Sequence, residues 1–272
     1  MLEFDRRIGI IGIGKMGEAL ISGLIRSKFT DPSKIGVCDI NIERKEYIFK
    51  KYSVTCYSET DELVNNSDIV LIAVKPRDMK KVLDDIKAQL KHKHLLISIA
   101  AGISTSFILR HLQKKISLIR AMPNSPCMIG EGMTVLAPLP GTSIEHIQYA
   151  KEIFRSVGKV LLLDEKHLNA VTGLSGSGPA YVYLFIEALT AGGVMVGLPE
   201  DVALILSTQT LYGSSKMLLE TGESPKKLKS MVATPGGTTV SGLMELEIGN
   251  VKASIISAVA KATHRARQLG IE

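Results

Sequence analysis

The chain has 272 residues, of which 45% are hydrophobic and 22% charged, with no tryptophan. That balance is ordinary for a globular chain with room for two domains, and excludes the disordered, collagenous and disulfide-scaffold classes. The net charge of +6 is scattered, as in 80–94, where acids interrupt the lysines; no basic stripe interleaved with aromatics marks a nucleic-acid surface, and a mild positive field suits anionic small molecules.

Along the chain, short apolar runs alternate with amphipathic stretches. Strands are predicted at 7–13, 35–38, 54–57, 69–74, 95–99, 118–122, 133–137 and 160–163. Helices are predicted at 16–28, 42–51, 78–90 and 104–112. Strand, helix, strand at this spacing is the pattern of a parallel α/β sheet. Beyond Asp164 the strands stop, and helices are predicted at 165–174, 178–197, 200–221, 237–248 and 250–269, with Pro199 and Ser224-Pro225 as start signals. The expected domains are therefore 1–164, an α/β domain with a doubly wound parallel sheet, and 165–272, an all-helical domain. The apolar faces of the second half are too broad for a free-standing surface and predict burial against a second copy.

Cys38, Cys56 and Cys127 have no paired spacing and predict neither a disulfide framework nor a metal site; a reducing cytoplasm fits them. The first residues lack a signal peptide's apolar core. The most apolar run, 180–199, carries Glu187 and Gly192-Gly193 and reads as a buried helix, not a membrane span.

Chemistry enters first at "IGIIGIGKMGEAL", residues 8–20, where Gly12-x-Gly14-x-x-Gly17 follows an isoleucine-rich strand and opens a helix. Gly12 permits a tight turn, Gly14 lets a pyrophosphate approach the backbone, and Gly17 lets the helix pack on the strand. Lys15-Met16 departs from the Gly-Lys-Ser/Thr of a P-loop. The amides from Gly14 through Lys15, Met16 and Gly17 would meet the phosphates. The next strand ends at Asp39, 22 residues beyond Gly17, close to the roughly 20 expected for an acid that accepts from the ribose 2′-hydroxyl. Such an acid leans toward NADH, although Arg44 lies within sequence reach of a phosphate. Further candidates to surround the dinucleotide are strand ends: Ala73, Val74, Lys75 and Pro76 in "LIAVKPRDM", Ala100 in "SIAAGIS" and Asn124 in "RAMPNSP".

In the second half, "SGSGP" at 175–179 precedes a long helix, and "ATPGGTT" at 233–239 opens another. With Ala73-Val74-Lys75-Pro76 and "MPNSP", these resemble the pyrroline-5-carboxylate reductase family. The most specific part is Pro225-x-x-Leu228, Val232-Ala233-Thr234-Pro235-Gly236-Gly237-x-Thr239, Gly242-Leu243 and Leu246-Glu247. The resemblance implies reduction of 1-pyrroline-5-carboxylate to L-proline with NADPH or NADH, a Rossmann domain, and a homodimer that often assembles into a decamer. One departure is Asp39-Ile40-Asn41, where many members carry a Ser/Asn-Arg-Ser-like stretch suited to a 2′-phosphate; strict NADPH preference is not expected.

The substrate carboxylate is expected on the amides around Gly236, Gly237 and Thr238, where a helix mouth offers free donors and its dipole. Ser177 is expected to line the same pocket, and Thr238 to contact the ring nitrogen as hydrogen-bond partner and proton relay. His111, His146, His167 and His264 are expected to be solvated. A β-hydroxy-acid reductase would place a catalytic lysine on the early helix of its second domain, and 178–197 has no lysine. A non-catalytic dinucleotide sensor would have no use for the Gly236-Gly237-Thr238 mouth.

Overall fold

The computed structural model describes residues 6–269. The first half builds β1 (Ile8–Ile11), α1 (Lys15–Arg26), β2 (Ile35–Cys38), α2 (Ile42–Tyr52), β3 (Thr55–Cys56), α3 (Thr60–Asn65), β4 (Ile69–Ile72), α4 (Met79–Ile86), β5 (Leu95–Ser98), α5 (Thr105–Leu112), β6 (Ser117–Met122), β7 (Gly132–Pro138), α6 (Ile144–Arg155) and β8 (Gly158–Leu162). The sheet order is β3-β2-β1-β4-β5-β6-β7-β8.

β1 lies parallel between β2 and β4, with Ile10 opposite both Val37 and Leu71. All four residues of β1, β2, β4 and β5 are buried, as a sheet covered on both faces requires. Alternation divides them. Ile8, Ile10, Leu71 and Ile97 join Leu20, Leu24 and Phe154 in one core. Ile11, Val70, Ile72 and Leu96 join Leu83, Ile86 and Ile108 in the other. The sheet is not wholly parallel: β7 runs antiparallel to β6, with Met122 opposite Val135. The link between them is a short turn, Ser125–Ile129, too short for the crossover that a parallel pair needs.

Two helices in this half escaped the sequence pattern. α3 has six residues and buries only Leu63 and Val64, too few for a period. α6 does carry a signal, with Ala150, Ile153 and Phe154 buried and the Ser143 hydroxyl capping the His146 amide.

The predicted helix over 165–174 is three pieces: a 3-10 turn at Glu165–His167, α7 (Leu168–Val171) and a π turn at Thr172–Gly176. The Ser177 amide and hydroxyl both donate to the Thr172 carbonyl, at 2.9 and 3.1 Å, which widens the last turn. Leu168 is buried on Val135 and Ala137. The compact units accordingly divide later in the chain than its strands end. One runs to Ser177 and resumes at Lys261; the other is Gly178–Ala260.

The second unit holds α8 (Gly178–Met195), α9 (Glu200–Thr221), α10 (Pro225–Val232) and α11 (Thr238–Ile248); α12 (Val251–Leu269) begins in it. α8 and α9 form a hairpin closed by the Leu198 amide on Gly193 O at 3.0 Å. A Cβ on Gly193 would stand 2.9 Å from the Ala203 Cβ, so glycine sets that approach. α8 has no buried residue and α9 only Ala203 and Ser207, while Val182, Leu184, Leu189, Leu204, Ile205 and Leu206 are exposed. Among the described residues no helix is long and apolar enough to cross a membrane.

One ion pair staples the first unit. Arg120, on β6, is 7% exposed and donates to Glu165 at 2.9 Å. The same carboxylate takes the Thr105 amide at 2.7 Å and the Thr105 hydroxyl. Burial pushes the Glu165 carboxyl up, but the bonds from Thr105 and Arg120 outweigh it and hold it below its ordinary value of 4.5. The stability it contributes is therefore present above that value and fades as pH falls through the lowered one. Glu165→Ala should cost about 2 kcal/mol at pH 7 in urea denaturation. The gap to wild type should narrow below pH 4.5.

Candidate active site

The glycine turn sits at the carboxyl end of β1, where the chain leaves for β2 on one side and β4 on the other. That topological switch point is the ligand crevice of an open α/β sheet. Gly12 has φ +90°, and a Cβ there would stand 2.9 Å from the Ala73 carbonyl. Its amide donates to Cys38 O at 2.8 Å, and the Ala73 amide to Ile11 O at 2.7 Å. A Cβ on Gly17 would collide with the Gly12 carbonyl oxygen; that clash-free approach is what lets α1 start directly over β1. Gly14 caps α1 with no side-chain bond, and its Cβ position opens on empty space. Lys15 is exposed, whereas Met16 packs on the core. The first helical amides thus lack a side-chain cap and face a cradle that a Cβ would fill, which fits a dinucleotide pyrophosphate.

Asp39 closes the far side of the turn. Its carboxylate accepts from the Ile13 amide at 2.8 Å and the Asn41 amide at 2.9 Å. Asn41 caps α2 by accepting from the Arg44 amide at 2.9 Å. The structure thus gathers Gly12, Gly14, Gly17, Asp39, Asn41 and Ala73 around one turn.

The other strand ends fall into place less uniformly. Val74 lies beside Gly12, and its Cγ1 would be 2.9 Å from a Cβ there. Lys75 is exposed and caps the turn that Pro76 opens. Ala100 is 5% exposed, with its amide 3.4 Å from the Ser98 hydroxyl. The Asn124 side-chain amide is engaged internally: it donates to Ser175 O at 3.2 Å and accepts from the Met133 amide at 2.8 Å. Its visible work is to tie the end of β6 to the π turn. Ser177 is likewise bonded to that turn.

In the second unit, Gly236 has φ +71°, and Gly237 opens α11 with no side-chain cap. One expectation needs correction. The Gly237 amide donates to Thr234 O at 2.9 Å, so it is not a free donor for a carboxylate; the turn itself consumes it. The first amides of α11, on Thr238 and Thr239, are those a helix leaves unpaired. Thr238 is exposed. Two histidines also differ from expectation. His111 is half-buried, with its Nδ1 2.9 Å from Phe107 O, and His146 has its Nδ1 buried without a hydrogen-bond partner.

The sequence reading missed Glu18. Burial pushes its carboxyl up, but hydrogen bonds from Arg44, Lys51 and Tyr52 prevail and pull it down to about 2. The signal was an acid in the first turn of a helix whose mouth should receive phosphates.

Residues 165–269 match the family model described as pyrroline-5-carboxylate reductase dimerisation, and 7–102 the model described as NADP oxidoreductase coenzyme F420-dependent. Pyrroline-5-carboxylate reductase of Arabidopsis thaliana is 40% identical over 97% of this chain and 95% of its own. The Escherichia coli K12 enzyme of that name is 37% identical over 97% and 98%. A crystal structure of Plasmodium falciparum pyrroline carboxylate reductase with NADP bound superposes with a TM-score of 0.89, at 31% identity and 98% coverage of both chains.

Because the Gly14 Cβ position is open, Gly14→Val should leave the melting temperature within about 2 °C of wild type. The same change should weaken dinucleotide affinity by about tenfold or more, read by titration calorimetry.

Proposed function

The chain belongs to the pyrroline-5-carboxylate reductase family, and we propose how its residues carry out the family's reaction. It reduces 1-pyrroline-5-carboxylate to L-proline with NAD(P)H. The single observation that carries the site assignment is the pair of uncapped helix mouths, one at Gly14 and one at Gly237. Each presents backbone donors and a helix dipole to an anion.

At the first mouth, Gly12, Gly14, Lys15, Met16 and Gly17 hold the pyrophosphate, and Asp39 and Asn41 the adenosine ribose. Ala73, Val74, Lys75, Pro76, Ala100 and Asn124 complete the crevice. When bound, the reduced nicotinamide supplies the hydride. At the second mouth, the Thr238 and Thr239 amides hold the substrate carboxylate. Gly236 adopts a left-handed turn that a side chain would strain, and a Cβ on Gly237 would press 3.1 Å from Thr234 O. Thr238 also donates to or relays a proton at the ring nitrogen. A protonated imine is already electrophilic, so alignment is most of what the protein must supply.

Residues 165–272 serve as the substrate and dimerisation domain. The exposed apolar side chains of α8 and α9 support a homodimer, which we propose assembles further into a decamer. The three unpaired cysteines support work in a reducing cytoplasm.

Absorbance at 340 nm with pyrroline-5-carboxylate and either reduced cofactor tests the reaction, with proline as the product to identify. Thr238→Ala should lower turnover by about ten- to a thousand-fold with the fold intact by circular dichroism. Wild-type turnover in that variant would remove Thr238 from the mechanism.

A further inference from the structure

A charged cluster joins the first turn of α1 to α2 along its length, from Arg44 to Tyr52, and the reaction leaves it unused. The Glu18 carboxylate receives four donors. Arg44 Nη2 pairs with one oxygen. The other takes Lys51 Nζ at 3.0 Å, the Tyr52 hydroxyl at 3.0 Å and the Tyr47 hydroxyl at 3.3 Å. Arg44 is held from a second side, where its Nε donates to Ile13 O at 2.7 Å. Ile13 also gives its amide to Asp39. One residue of the glycine turn therefore holds both Asp39 and Arg44.

In a sheet of this type, the acid after the second strand accepts from a ribose 2′-hydroxyl, and a nearby arginine is what accommodates a 2′-phosphate. Here the acid is oriented, and the arginine is tethered through two of its three nitrogens. Each Asp39 oxygen takes one backbone N–H and keeps a lone pair for a hydroxyl proton. A phosphate at that position would meet a fixed like charge. Two of the three Arg44 guanidinium nitrogens are engaged, Nε by Ile13 O and Nη2 by Glu18, which draws the group toward α1.

We propose that Glu18 is a positioning residue for cofactor choice: it holds the Arg44 guanidinium toward α1, so that Asp39 is the charged group left facing the 2′ position and the chain takes NADH in preference to NADPH. This rests on the dinucleotide placement proposed above. It assigns Glu18 no contact with the cofactor, only the withdrawal of positive charge from one end of it.

The test is equilibrium binding of NADH and NADPH, followed by nicotinamide fluorescence on excitation through the cofactor itself, since the chain has no tryptophan. Wild type should bind NADH about tenfold or more tighter than NADPH. Glu18→Gln should tighten NADPH by about three- to tenfold and leave NADH nearly unchanged. Adding Arg44→Gln to that variant should erase the gain. If Glu18→Gln does not fold, Arg44→Gln alone decides: an unmoved NADPH affinity supports the sequestration, and a loss shows Arg44 already on the phosphate. Equal affinity for the two cofactors in wild type, or a ratio unmoved by a folded Glu18→Gln, would overturn the proposal. Binding of neither would overturn the dinucleotide placement itself.

Discussion

The carbonyl oxygen of Gly12 occupies the space where a side chain on residue 17 would begin. Much of the first unit follows from that contact. It lets α1 lie directly on β1, so Ala19, Leu20 and Leu24 enter the same core as Ile8 and Ile10. It also aims the open end of α1 into the crevice between the loops after β1 and β4. A larger residue at either position would lift the helix, and core packing and anion geometry would be lost together.

Electrostatics then divides the labour. The helix ends at Gly14 and Gly237 carry no side-chain cap, and the backbone dipole of such an end is one that no titration removes. The titratable groups nearby do something different: Asp39 braces the turn through Ile13, and Glu18 gathers Arg44 and Lys51 of α2. Farther along, Glu165 ties Arg120 and the start of α5 to the segment that leads into the helical half. These carboxylates are bonded to the protein's own groups, which makes them parts of the frame of the first unit.

The helical unit poses the opposite problem. Its helices bury almost nothing within one chain, and their apolar side chains stand in the open. Hydrophobic burial is the main favourable term in folding, so a half with so little of it is expected to complete its core by association. The match of 165–269 to a dimerisation family agrees with that physical reading.

Sequence alone determined the alternation of strands and helices, the glycine turn, the acid at the end of β2 and the glycine-opened helix start at 236–238. These are local: each depends on a few consecutive residues whose backbone freedom or periodicity is written in their type. α3 was too short to show a period, and the antiparallel turn into β7 left no local mark. Only the tertiary structure decided which donors are free and which are spent. Gly237 loses its amide to Thr234, Asn124 gives its side chain to Ser175 and Met133, and Arg44 is held between Ile13 and Glu18, 31 and 26 residues away. A hydrogen bond has one donor and needs a partner within about 3 Å, and chain order does not say which groups folding will bring that close.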